Sequence, residues 1–151
     1  NRPLSALEMD MLLSKRFPDF IVTGHIEEPI RDPIYNRQVV VERSIEISQP
    51  KVVVEYWDDE KQDDDIISLI FNDQKIVSEH KLTLRKQELV LDVKPGYQNR
   101  LVLIAENLGT IPPNTAKVKI ICGKIIEELR LKSDLEKSAA LEFIYLGEKK
   151  D

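Results

Sequence analysis

The chain has 151 residues, 42% of them hydrophobic, which is enough for one ordinary core and fits one domain with an appendage. Its 27 acidic residues against 22 basic ones give a formal net charge of −5, which opposes a phosphate backbone unless a local basic patch exists. No apolar run approaches the roughly 20 residues that a helix needs to cross a bilayer, so no transmembrane segment is expected.

The densest basic stretch, KLTLRK from Lys81 to Lys86, alternates with apolar residues as the solvated face of a strand does, so nucleic acid is not expected as a partner. The chain starts at Asn1 without an initiator Met, a basic n-region or an apolar h-region, which leaves a removed leader and a shortened start both open. Cys122 is the only cysteine, so no intrachain disulfide can form. Its setting, IICGK, suits a small buried side chain beside a turn, and without a nearby His it is a poor nucleophile.

The first element is SALEMDMLLSKRF, where Ser5 and Glu8 have capping-box spacing and Met9, Leu12, Leu13 and Phe17 recur at helical intervals. It predicts a short amphipathic helix from Ser5 to about Phe17, its apolar stripe packed against this or a neighbouring domain. Three prolines between Pro18 and Pro33 then mark an extended connector or an edge strand.

From Arg37 the hydrophobic period changes to two. Val39, Val41, Ile45 and Ile47 are assigned to one face, interrupted by Arg43. The later rows are Val52, Val54 and Tyr56; Ile67, Leu69 and Phe71; Leu89, Leu91 and Val93; and Leu101, Leu103 and Ala105. Val118, Ile120 and Cys122 follow, then Ala139, Leu141, Phe143 and Tyr145. Turn signals at Asn72-Asp73, Pro95-Gly96 and Gly123 separate them, so the pattern predicts an all-β, antiparallel β-sandwich of jelly-roll or immunoglobulin-like type behind the N-terminal helix. The expected division is helix and connector at 1–36, sandwich at 37–147 and tail at 148–151.

The densest chemical feature is WDDEKQDDD, Trp57 to Asp65. Asp58, Asp59, Asp63 and Asp65 offer hard oxygen ligands of the kind Ca²⁺ accepts, although the spacing lacks the turn Gly and distal Glu of an EF-hand. A solvated acidic hairpin loop is the plainer reading and the preferred one. The same acids admit a hydrolase with a carboxylate pair, without any specific support. Trp57 borders this loop and, like Tyr97, is a candidate ligand contact, although burial is the preferred reading for Trp57. His80 falls in phase with Ile76, Leu82 and Leu84, as an inward structural His would, whereas His25 sits in the connector. No serine elbow, Cys-His pairing or Gly-rich phosphate loop is present, so no catalytic residue is assigned.

The stretches VVVEYWDDEKQDDDIISLIFNDQKIV, LVLIAENLGTIPPNTAKVKI and RLKSDLEKSAALEFIY together resemble an uncharacterised β-sandwich domain found at the C-termini of exported and cell-envelope proteins of Gram-negative bacteria. The likeness spans Lys51 to Tyr145, and the AENxGxxPPNTA-type motif is its most specific part. Asp64 and Asp73 stand where that family commonly has Gly; Asp reaches left-handed geometry better than most residues, so both turns are expected to persist.

Within the motif, Gly109 is expected to release the chain from a core strand and Pro112-Pro113 to stiffen the crossing, with Asn107 and Asn114 bonding the freed backbone groups. The resemblance implies export to the periplasm, envelope or cell exterior. The expected function is a noncatalytic module that binds or positions another protein, domain or glycan. The alternatives are a calcium-assisted carbohydrate-binding module and the hydrolase.

Overall fold

The computed structural model describes Ser5 and residues 29–58, 64–108 and 113–147. The expected helix (Ser5 itself apart), His25 and the tail lie outside the described residues. In chain order the strands are β1 (Gln38–Ile47), β2 (Lys51–Asp58), β3 (Ile66–Phe71), β4 (Gln74–Lys81), β5 (Gln87–Asp92), β6 (Gln98–Ala105), β7 (Asn114–Cys122), β8 (Ile125–Ser133) and β9 (Lys137–Tyr145). They form two sheets, ordered β1-β9-β6-β3-β4 and β5-β2-β7-β8, that face each other across one core as a β-sandwich. The neighbours β3-β6-β9 and β2-β5 share the order of the C-F-G and B-E strands of an immunoglobulin-type sandwich, with the β7–β8 hairpin on the far side of β2.

Alternation decides which side chains enter the core, because successive residues of a strand point to opposite faces. Val52, Val54 and Tyr56 of β2 and Val118, Ile120 and Cys122 of β7 line one wall. Leu101 and Leu103 of β6 and Leu141, Phe143 and Tyr145 of β9 line the other. Each fully buried aliphatic or aromatic side chain contributes about 1.5–3 kcal/mol, so this double layer is the main stabilising term. Cys122 is buried and free, with its Sγ 3.6 Å from the carbonyl oxygen of Gln49.

Two phase assignments are corrected. In β1 the register shifts between Val41 and Arg43, leaving Glu42 as an extra residue of a bulge. Ile45 and Ile47 therefore face the inter-sheet core, while Val39 and Val41 belong to a second apolar cluster with Ile70, Val102, Ile104 and Ala140 on the outer face. In β4 two register shifts, with Glu79 at φ +47°, break the row that was to contain His80. Leu82 is fully buried, whereas Ile76 and Leu84 are 42% and 56% exposed. His80 packs edge-on against Tyr56 at 6.0 Å between ring centroids, and its Nε2 has no hydrogen-bond partner, so it is not the hydrogen-bonded residue expected.

The pairing is antiparallel except for β1 with β9, which is parallel. The outer cluster is covered by residues assigned to the connector, since Ile30 and Tyr35 pack on it. Asp32, itself buried, fixes that segment by accepting hydrogen bonds from the backbone N–H groups of Ile34, Tyr35 and Arg37.

The β3–β4 hairpin turns on Asn72 and Asp73, at φ +48° and +68°. Positive φ at both central residues is the type I′ condition, which matches the twist of the flanking strands. Asn72 is held by its Nδ2 donating to Asn99 Oδ1 (3.0 Å) and its Oδ1 accepting from Arg100 N–H (2.9 Å). Replacing Asp73 with Gly removes the Cβ penalty of the left-handed region, so Asp73→Gly should stabilise the domain by about 0.5–1 kcal/mol in equilibrium denaturation. A loss of stability would show that the Asp73 side chain holds the turn.

Candidate functional site

The acidic stretch and the AENLGTIPPNTA stretch emerge at the same end of the sandwich. Asp58 closes β2 and lies opposite Ala116 of β7, while Asp65 precedes β3 and its Oδ2 accepts the N–H of Thr115 at 3.2 Å. The two carboxylates thus flank neighbouring positions of one strand, and both are buried. Asp58 continues the inward row of Val54 and Tyr56, so it stands where the apolar core gives way to polar groups. Burial holds the Tyr56 hydroxyl above its ordinary titration range.

Two asparagines tie these connections together. Asn107 Oδ1 accepts the N–H of Ile66 (2.9 Å) and its Nδ2 donates to the carbonyl of Asp64 (2.9 Å). Asn114, fully buried at the start of β7, donates through Nδ2 to the carbonyls of Ile66 (3.1 Å) and Asn107 (3.2 Å). Because β7 and β3 belong to different sheets, the Asn114 amide links the sheets at the point where both connections leave them. Asn114 Oδ1 is buried without a hydrogen-bond partner.

Asp64 adopts φ +63°, so the left-handed position that the family resemblance assigns to Gly is left-handed here too. Its carboxylate pairs with Lys81 Nζ at 2.7 Å on the exposed surface, a contact of small energetic weight. Pro113 precedes the first residue of β7, and its carbonyl accepts the Thr115 hydroxyl at 3.4 Å. Asp59, Asp63, Gly109 and Pro112 lie outside the described residues. Among the described residues no three His, Cys, Asp or Glu side chains group as a metal site.

The two aromatic candidates are not brought together. Trp57 is 8% exposed on the outer face of its sheet, with the Lys86 ammonium 4.6 Å and the Lys117 ammonium 6.0 Å from its ring centre. The ring is thus covered by cations, which suits its electron-rich face. Tyr97 follows β5 beyond Asp92, which pairs with Lys51 at the opposite end of β2 from Trp57. Asn99, also fully buried, fixes that other end by donating to the carbonyls of Lys94, Tyr97 and Phe143.

A polar feature that periodicity does not reveal adjoins the loop end on the outer face. Glu106 Oε2 accepts the Tyr35 hydroxyl (2.7 Å) and the Ser68 hydroxyl (2.8 Å), while Ser68 Oγ in turn accepts the N–H of Glu79 (2.9 Å). Lys75 sits 4.8 Å from the centre of the Tyr35 ring. Tyr35 and Glu106 are 71 residues apart, and no local spacing connects them.

Comparison with family models, with curated proteins and with solved structures yields no match.

The asparagine link makes a testable claim about stability. Asn114→Ala removes both amide bonds and leaves the Asn107 carbonyl short of a donor, so it should cost about 1–3 kcal/mol in urea denaturation. Thr115→Ala, which loses one long hydroxyl contact at the surface, should stay within about 0.5 kcal/mol of the parent. Equal effects would mean that the buried amide is not what joins the sheets.

Proposed function

We propose that this sandwich is a noncatalytic interaction module of the envelope or cell exterior, presenting the connections at 58–65 and 106–114 to another protein, domain or glycan. The observation that supports this reading is the bracing of both connections at their roots by Asn107, Asn114 and Asp65. Rigid strands that hold adjacent loops are the usual arrangement in binding modules, because a loop fixed at its base loses less entropy when it meets a partner. The proposed location rests on the family resemblance.

A cation-assisted form of the same reading has its own support. Asp58 and Asp65 are buried at the loop end, opposite Ala116 and on the N–H of Thr115, Asn114 Oδ1 is an unused acceptor, and carboxylate and amide oxygens are the ligands that Ca²⁺ takes. Asp59 and Asp63 would add to the set from the sequence between them.

Saturable binding of the parent to isolated envelope protein and glycan fractions, weakened at least about tenfold by Asn107→Ala with the sandwich still folded, is the expected result. Release of soluble products from those fractions, or unchanged binding by the variant, would contradict the noncatalytic loop-end reading. For the cation-assisted form, millimolar Ca²⁺ added after chelation should raise the thermal midpoint of the parent and not of Asp65→Asn. An unchanged parent midpoint would leave the acids as a structural and solvated group.

A further inference from the structure

Among the described residues four strands lie at a sheet edge, β1 and β4 in one sheet and β5 and β8 in the other, and only the start of β1 is bridged from outside, by Arg31. Such an edge offers free N–H and C=O groups to any other strand, and soluble proteins blunt it with bulges, kinks or inward-pointing charges. Three of the four are blunted in this way. β1 carries its bulge at Glu42, and β4 is broken by two register shifts. β8 places Glu127 opposite Ile120, in the inward row, where it meets Arg43 of β1 at 3.1 Å and closes that side of the sandwich.

β5 has none of these devices. It pairs with β2 without a shift from Lys51↔Asp92 to Tyr56↔Gln87, and its inward residues are Gln87, Leu89 and Leu91. The hydrogen bond from Val93 N–H to the Pro50 carbonyl, 2.8 Å, sets the phase of this ladder. In an antiparallel pair every second residue bonds across, so Leu89 and Leu91 use their backbone groups on β2 while Glu88, Val90 and Asp92 point theirs away from it. Val90 is also 51% exposed, at the lip of a groove of about 490 Å³ lined by Phe71, Ile76, Val77 and Leu89.

We propose that β5 is a self-association edge, which pairs antiparallel with β5 of a second copy and joins the two smaller sheets into one. The proposal goes beyond the loop-end function and concerns a different surface. Charge selects both the partner and the register. Side chains opposite one another in a pair share a face, and of the registers centred on a residue of β5 those centred on Leu89 and on Val90 overlap most of the strand. Centred on Val90, Glu88 would oppose Asp92 of the second copy, and Lys86 would oppose its Lys94, like against like on both sides of the axis.

Centred on Leu89, Lys86 opposes Asp92 of the second copy, and Asp92 opposes its Lys86. Glu88 then lies beside Val90 of the second copy, and the two Leu89 side chains meet at the axis. Lys86 stands on the outer face over Trp57, and Asp92 is exposed on the same face beside Lys51 at 2.8 Å, so both charges sit where this register needs them. The added strand also carries its inward Leu89 over the mouth of the groove.

Sedimentation velocity tests the pairing through charge exchange. The parent should form a dimer whose fraction rises with concentration. Lys86→Glu and Asp92→Lys should each be monomeric alone, because each makes two like-charge contacts across the axis. Their equimolar mixture should restore the dimer, since both contacts become opposite in sign. Circular dichroism of each variant checks that the sandwich remains folded. A parent that stays monomeric up to its solubility limit would overturn the proposal, as would a mixture no more associated than its components. A tighter dimer for Asp92→Lys alone would overturn the register, because only the Val90-centred pairing gains from that change.

Discussion

The Asn114 side-chain amide is the bond on which the loop end depends. It reaches from β7 to the carbonyl of Ile66 in the other sheet and to Asn107 in the same motif, so one group ties the alignment of the sheets at this end to the start of β3 and the exit of β6. Apolar packing fixes how far apart two sheets lie but is indifferent to small slides between them. Directional bonds in a buried setting remove that freedom, and their loss exposes unmet polar groups to an apolar interior. Asn99 plays the matching part at the opposite end, where its amide collects three carbonyls, two from the β5–β6 connection and one from β9. The core is thus bounded by a buried asparagine at each end, and only one of these ends carries the acidic loop.

The two long sides of the sandwich differ as well. Between β1 and β8 the inward-facing Arg43 and Glu127 meet and close the gap. Between β4 and β5 no such pair is seen among the described residues, and Phe71, Ile76, Val77 and Leu89 line an open groove rimmed by Asn72, Gln74, Asp92 and Lys94 instead. The bulge at Glu42 serves the closed side, because it rotates β1 so that its first half packs under Tyr35 and its second half fills the core. Without the extra residue, either Val39 or Ile45 would have to leave its apolar cluster.

Most of the core was legible because alternation survives wherever a strand is regular. The rows Val52-Val54-Tyr56, Ile67-Leu69 and Leu141-Phe143-Tyr145 follow from period two alone, and they are the inter-sheet core. The failures fall where a strand is irregular. One extra residue reverses the phase of everything beyond it, which is why simple alternation puts Val39 and Ile45 on one face and groups Ile76 with Leu82. The parallel pairing of β1 with β9 joins residues about a hundred positions apart and leaves no local trace. At the loop end, the bracing asparagines, Asn107 and the buried Asn114, were legible from their place around Gly and Pro, since such residues must meet backbone groups that no ladder satisfies. The bond from Tyr35 to Glu106 was not, because it needs the chain to return across the outer face.

Amide hydrogen exchange at Ile66 and Thr115 tests the bracing of the loop roots most directly. The Ile66 N–H is held by Asn107 Oδ1 and the Thr115 N–H by Asp65 Oδ2. If these side chains lock the roots to the sandwich, both amides should exchange only through global unfolding, with the same free energy as Ile120 in the core. Exchange at Ile66 and Thr115 through local opening, while Ile120 stays protected, would show that the roots move independently and would contradict a rigid support beneath the loops.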